Sequence, residues 1–244
     1  MNHYGEYDAS APYLHLLSES AWVDLGPRLA DALAGADPAA GAVLELGAGS
    51  GLGTERILAA VPDSPVLAAE PSAALRAVLI ARLRGMTGGE RVTVLPVGAA
   101  EVDLPERLAA VVGMHMVGHL APDTRRALWR DIAARLTPGA PVVLNVQPPE
   151  TATAVPAWPP FGVRQGALTY QGTGSAEPTG PESVRWRMQY ATLRDGVVVE
   201  EAEAEYGWWV LSAAGLAAEL TEAGLHSEVN GDLVVARGSG KPLS

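Results

Sequence analysis

The chain has 244 residues, 48% of them hydrophobic, which is enough for one sizeable α/β core plus an insertion and too apolar for a disordered chain. Against 17 basic residues stand 28 acidic ones, a net charge of −11 whose field repels phosphate backbones and speaks against nucleic-acid substrates. Cysteine is absent, so disulfides and thiolate metal sites are excluded, and no metal site is expected.

No apolar run reaches the ~18 residues that span a bilayer, so no membrane partner is expected. Met1 to Ser10 lacks the basic-then-apolar pattern of a signal peptide, and a cytoplasmic protein is the expectation. Residues 8–35 read as two helices separated near Ser18–Ser20, placed to cap a sheet. From there strands and helices alternate. The first strand is Ala42–Leu46, followed by a glycine turn and a helical pattern over Thr54–Ala60. A second strand, Pro65–Glu70, precedes a helix over Ser72–Arg84, and a third strand, Arg91–Leu95, a fourth over Leu108–Met114. A helix from Pro122 to Leu136 is stopped by Thr137-Pro138-Gly139 and leads to a fifth strand, Pro141–Val146. This alternation predicts a parallel sheet with right-handed crossovers.

Residues 147–183 change character, being rich in Pro, Gly and Thr, and read as a long irregular, functional loop. Two β-rich runs follow, Val184–Leu193 and Val197–Leu211, joined by Arg194-Asp195-Gly196. A three-residue loop with Gly196 left-handed pairs Arg185 with Glu205, Arg187 with Glu203, and Trp186 and Met188 with Ala204 and Ala202. Opposite charges and apolar pairs then match across the strands, each helping by ~0.2–1 kcal/mol. One face of this hairpin carries Trp186, Met188, Tyr190, Tyr206 and Trp208, and is expected to turn toward a substrate cavity or a partner subunit. A last helix, capped by Ser212 and ended by Gly224, precedes a hairpin turning at Asn230-Gly231. No internal repeat is evident.

The chemistry centres on Val43-Leu44-Glu45-Leu46-Gly47-Ala48-Gly49-Ser50-Gly51-Leu52-Gly53-Thr54. A buried strand, a glycine turn and a helix N-terminus form the usual cradle for a nucleotide-like cofactor. Glycine is needed where a Cβ would block a ligand's approach to the backbone or forbid positive φ. The dinucleotide fingerprint wants glycines at the first, third and sixth positions. From Gly47 the sixth position is Leu52 and from Gly49 it is Thr54, so a nicotinamide or flavin reading loses its support. The ATP loop fails too, for no Gly-Lys-Ser/Thr follows.

An acidic residue two before Gly-x-Gly-x-Gly resembles the first motif of class I S-adenosylmethionine (SAM) dependent methyltransferases. Glu70-Pro71-Ser72 after the second strand, Gly98-Ala99-Ala100-Glu101 after the third, and Gly118-His119-Leu120 after the fourth resemble later segments of that family. The opening Tyr7-Asp8-x-x-Ala11-x-Tyr13 and the β-rich insertion are similar to small-molecule members of the glycine or amino-sugar N-methyltransferase kind. The family often has Asp where this chain has Ala99, and again in the fourth strand near Ala109. The Asn/Asp-Pro-Pro-aromatic signature of base methylation is absent.

The resemblance implies a Rossmann-like, seven-stranded, mostly parallel sheet with helices on both faces, an N-terminal helical cap and an antiparallel β insertion after the fifth strand. It implies a single domain: cap 1–41, SAM-binding core 42–146, substrate-covering insertion 147–211, closing helix and hairpin 212–244. SAM would be the cofactor and S-adenosylhomocysteine (SAH) the product. Gly47, Ala48 and Gly49 would lie against its methionine portion, with Glu45 orienting the glycine loop or the methionine amino group. Glu70, beside Pro71, would accept the ribose hydroxyls; Ala99, Ala100, Gly113 and Tyr7 would complete the cofactor site.

His119, just past the fourth strand at the ligand-binding edge, is the leading base candidate, with His115 behind it. A capping or packed histidine is the plainer alternative. Tyr13, Trp158, Trp186 and Trp208 are candidates for the substrate pocket, against the plainer reading of aromatic core. The expected reaction is methyl transfer to an O, N or C nucleophile of a small molecule, such as a natural product or sugar. A cyclase or pericyclase on the same fold, or a SAM-binding protein that does not methylate, is the alternative. A homodimer through the β insertion is a further expectation.

Overall fold

The structure is a computed structural model that describes residues 7–238. Residues 1–6 and 239–244 lie outside the described residues, and with them most of the segment read for a signal peptide. Two helices, α1 (Ala11–Ser18) and α2 (Ala21–Leu33), precede an alternating core. Its strands are β1 (Ala42–Leu46), β2 (Val66–Ala69), β3 (Val92–Leu95), β4 (Leu108–Gly113) and β5 (Pro141–Asn145). Between them lie α3 (Leu52–Ala60), α4 (Ala73–Leu83) and α5 (Pro122–Ala133). Helix α6 (Ala213–Glu222) and the antiparallel pair β10 (Leu225–Asn230) and β11 (Leu233–Gly238) close the sheet.

The seven strands run in the order β10-β11-β5-β4-β1-β2-β3, with β1 to β5 parallel and β11 antiparallel to β5. The central strands read as unbroken apolar runs because helices cover both faces. Trp22, Leu29, Ile57 and Leu79 bring α2, α3 and α4 onto one face, and Leu128, Trp129, Leu216 and Leu220 bring α5 and α6 onto the other. A buried bidentate pair, Arg125 to Glu219 at 2.8 and 2.7 Å, locks α5 to α6. Because β1 sends the chain to β2 on one side and abuts β4 on the other, a crevice opens over their carboxyl ends. Such a reversal of strand order is where open α/β sheets bind ligands.

The second sheet corrects the expected loop. Residues 161–180 are not irregular: β6 (Phe161–Gln165) and β7 (Leu168–Gly180) form a hairpin that pairs onto β8 (Ser183–Arg194) and β9 (Val197–Trp209). Only 147–160 stays largely irregular. The glycines that suggested a loop are strand residues shaved to let neighbours close in, as where Gly174 sits under Met188 and Trp158.

The β8–β9 register is also corrected. Asp195 and Gly196 both take positive φ, 51° and 81°, in a two-residue turn that pairs Arg194 with Val197. Positive φ at both central residues is the type I′ geometry, whose twist suits a hairpin. A bulge between Thr192 and Leu193 then shifts the ladder, so Arg187 faces Glu205, Met188 faces Ala204 and Trp186 faces Tyr206. The Arg187–Glu205 pair closes at 2.8 Å. Relative to the expected pairing the shift is two residues, an even number, so the division of the faces survives. The apolar face packs on α1 through Tyr13, Leu17, Tyr190 and Ala204 and on the segment after β4 through Trp208. The closing hairpin turns at Gly231-Asp232, one residue beyond the expected site, since Asn230 pairs with Leu233.

Candidate active site

Strand β1 is buried from Val43 to Leu46 and delivers Glu45, 3% exposed, to the floor of the crevice. Thr54 Oγ1 donates to Glu45 Oε2 at 2.6 Å. Burial pushes the Glu45 carboxyl up to about 8, opposed by the Thr54 hydrogen bond and assisted by the nearby Glu70. The glycine turn follows. Gly49 has φ +56° and nothing within 4 Å of its absent side chain, so the loop is held left-handed and its upper surface is open to a ligand.

Glu70, at the end of β2, accepts from the Gly49 N–H through Oε2 and the Ser72 N–H through Oε1, each at 2.8 Å. Burial raises its carboxyl while those two bonds and Arg76 oppose the rise. Each oxygen keeps a lone pair for a further donor such as a vicinal diol. Ala99, 9% exposed, lines the crevice beyond Glu70 and Pro71.

The opposite side is aromatic. The chain leaving β4 makes a 3₁₀ turn, Val117–His119, that presents His119 to Tyr7, Tyr206 and Trp208. The His119 ring centre lies 4.8 Å from Trp208, edge-on, and 5.6 Å from Tyr206, while Tyr7 stacks on Tyr206 at 5.8 Å. Tyr7 Oη meets His119 Nε2 at 2.7 Å. Burial lowers the His119 imidazole to about 4, so the ring is neutral at neutral pH and keeps an acceptor nitrogen. Close approach of Trp208 depends on Gly118, where a Cβ would stand 2.0 Å from the indole.

These two walls enclose a cavity of about 280 Å³. Of the residues singled out from the sequence, it brings together Tyr7, Glu45, Gly47, Ala48, Gly49, Glu70, Pro71, Ala99, His115, His119 and Trp208. Five lie elsewhere. Ala100 is exposed, and Gly113 is buried behind Met116, against Leu144. Tyr13 is in the core between α1 and the second sheet, bonding Thr192 at 2.9 Å and stacking on Tyr190. Trp158 and Trp186 pack edge-on to each other, off the cavity wall.

The cavity also uses residues that sequence reasoning passed over: Leu14, Ser18 and Trp22 from the two cap helices, Met114 and Met116 after β4, and Gln147 after β5. Trp22 had a legible signal, an aromatic at the start of an amphipathic helix; the others gave none. No cluster of His, Asp or Glu suited to a metal occurs among the described residues. None of the residues lining the cavity is a lysine or arginine.

Residues 43–139 match the family described as methyltransferase domain. Among curated proteins no match is found. Solved structures are similar in fold along nearly the whole chain. CalS10, an amino pentose methyltransferase from Micromonospora echinaspora, is 22% identical, with 91% of this chain and 97% of that chain covered and a TM-score of 0.69. DesVI from Streptomyces venezuelae is 20% identical over 98% of this chain and all of that one, at 0.77. KedS8, a sugar N-methyltransferase from Streptoalloteichus sp ATCC 53650, is 18% identical over 88% and 86%, at 0.68. Residues 43–139 therefore match a methyltransferase domain, and the chain shares its fold with solved methyltransferases such as CalS10 and KedS8.

Proposed function

We propose that the protein transfers the methyl group of SAM to the amine nitrogen of a small molecule, such as an amino sugar or another natural product. The observation that carries the choice of nitrogen is the ring of Tyr7, His119, Tyr206 and Trp208 on a wall without lysine or arginine. Aromatic faces attract an amine and its ammonium form, and a neutral histidine among them accepts a hydrogen bond from its N–H. The similar structures support the reading: CalS10 was solved with SAM bound and is described as acting on an amino pentose.

The residues fit the cofactor. Gly47, Ala48 and Gly49 would carry the methionine portion, Glu45 its cationic end, Glu70 the ribose hydroxyls, and Pro71 and Ala99 the adenine side. When bound, SAM supplies a methyl on a sulfonium, an excellent leaving group. The protein then has to hold the acceptor nitrogen in line in a dry pocket, where proximity does much of the work. The acceptor gives up its ammonium proton to solvent on entry, and His119, with Tyr7 on Nε2, accepts a hydrogen bond from the remaining N–H so that the nitrogen lone pair is aimed to form the N–C bond. The bonding pair of the broken S–C bond stays with sulfur. Ala100 and Gly113 would act through the segments they belong to, and Tyr13 through α1.

The experiment is to incubate the protein with SAM carrying a labelled methyl and a panel of primary and secondary amines, amino sugars included. Label on nitrogen is expected. Label only on oxygen or carbon would overturn the amine, and SAM consumption without transfer would favour a cyclase. Pairing of two β insertions into a homodimer belongs to the same reading, supported by the exposed Val197, Val198 and Val199; a monomeric mass in sedimentation would overturn it. No helix among the described residues is long and apolar enough to cross a membrane.

A further inference from the structure

Three described residues other than glycine have positive φ, and of these only His115, at +58°, stands on the cavity wall. That backbone is disfavoured for any residue with a side chain, though histidine adopts it more readily than most, so the surroundings help hold it there. The His115 N–H donates to Asn145 Oδ1 at 2.7 Å. Asn145 ends β5, an otherwise apolar strand, and is 2% exposed. A buried amide costs stability unless both its ends are partnered, and here both are. Its Nδ2 donates to Asp232 Oδ2 at 3.4 Å, in the turn between β10 and β11. Asp232 Oδ1 meets Arg28 of α2 at 2.8 Å, and the Asp232 carbonyl accepts from the Val146 N–H at 3.0 Å. The amide can therefore face only one way, with its acceptor toward His115.

We propose that Asn145 is a positioning residue for the cofactor. It holds the bend between β4 and the 3₁₀ turn left-handed, and so sets Met114, His115 and Met116 against the ligand. The inference rests on this cavity being the SAM site. Without the hydrogen bond the His115 backbone relaxes toward negative φ, and the three side chains leave their places on the wall.

The test is a double-mutant cycle of Asn145→Ala and His115→Gly, since glycine keeps a positive φ without help. Two quantities are read: SAH affinity by calorimetry, and hydrogen exchange of residues 114–119 in the ligand-free protein. In the wild-type background Asn145→Ala should weaken SAH binding about tenfold and speed exchange. In the His115→Gly background the same change should weaken it less than about threefold. Equal effects in both backgrounds would assign Asn145 to packing and overturn the proposal, as would unchanged affinity and exchange. If Asn145→Ala fails to fold, Asp232→Ala frees the amide while keeping it, and should act in the same direction with the same dependence on residue 115. A wild-type protein that binds neither SAM nor SAH would overturn the cofactor reading instead. The exchange measurement needs no ligand and decides the role of Asn145 in either case.

Discussion

At the scale of single residues, two buried titratable groups on opposite walls are shifted in ways that keep both neutral. Glu45 is raised to about 8 and His119 lowered to about 4, each chiefly by desolvation. For Glu45 the folded state holds a proton that the unfolded chain gives up near pH 4.5. The group therefore favours folding below that pH, and its contribution is lost as pH rises toward 8. Glu45→Gln, neutral at every pH and still able to accept from Thr54, should match the wild-type melting temperature at pH 4.5. Its advantage should grow up to pH 8 and then level off. A difference independent of pH would show that Glu45 ionises in the cavity as it does in water. For His119 the sign is opposite. The ring stays a competent acceptor until pH falls to about 4, so the acid limb of kcat under saturating acceptor should lie there. An acid limb near the ordinary histidine value of about 6.5, lost in His119→Gln, would contradict the burial that defines the site.

At the scale of elements, the site is made where the second sheet meets the segment after β4, and that contact turns on Gly118. A methyl group there would stand 2.0 Å from the Trp208 ring, in a place filled by the indole. Gly118→Ala should displace Trp208 and open the aromatic wall, lowering kcat/KM for the amine by about tenfold or more, on the scale of a mispositioned catalytic group. SAH affinity, which the proposed function assigns to the glycine loop and Glu70 on the other wall, should change little. An equal loss in both would mean that the two walls are not separable. Gly118 was visible in the sequence only as part of a resemblance, because nothing in Val117-Gly118-His119 announces a tryptophan ninety residues away. The core was more legible. Strands such as Leu108–Gly113 and Pro141–Asn145 are covered on both faces and read as unbroken apolar runs. The β insertion was less so, since strand glycines look like loop residues until the side chains packed over them are known. The hairpin register failed on the two-residue turn and on a bulge between Thr192 and Leu193, the latter a feature that no local pattern in Leu193–Glu200 specifies. Asn145 and Asp232 are far apart in sequence and become a pair only because β11 lies beside β5.

At the scale of the whole molecule, charge bears on which acceptors can enter. The chain carries −11, and the cavity has no lysine or arginine among its lining residues to oppose that field. That net field draws an ammonium inward and repels a phosphate or carboxylate. Two amines of the same shape, one bearing a remote anionic group, should differ in kcat/KM in favour of the uncharged neighbour. The difference should sit mostly in KM, since repulsion opposes entry and not the methyl transfer itself. Salt gives the decisive check, because the screening length falls from about 8 Å at 0.15 M to about 3 Å at 1 M. Raising it should narrow the gap, by helping the anionic acceptor and weakening the cationic one. A gap that salt leaves untouched would point to a steric clash, and a preference for the anionic acceptor would require a basic group at the mouth that the cavity wall does not contain.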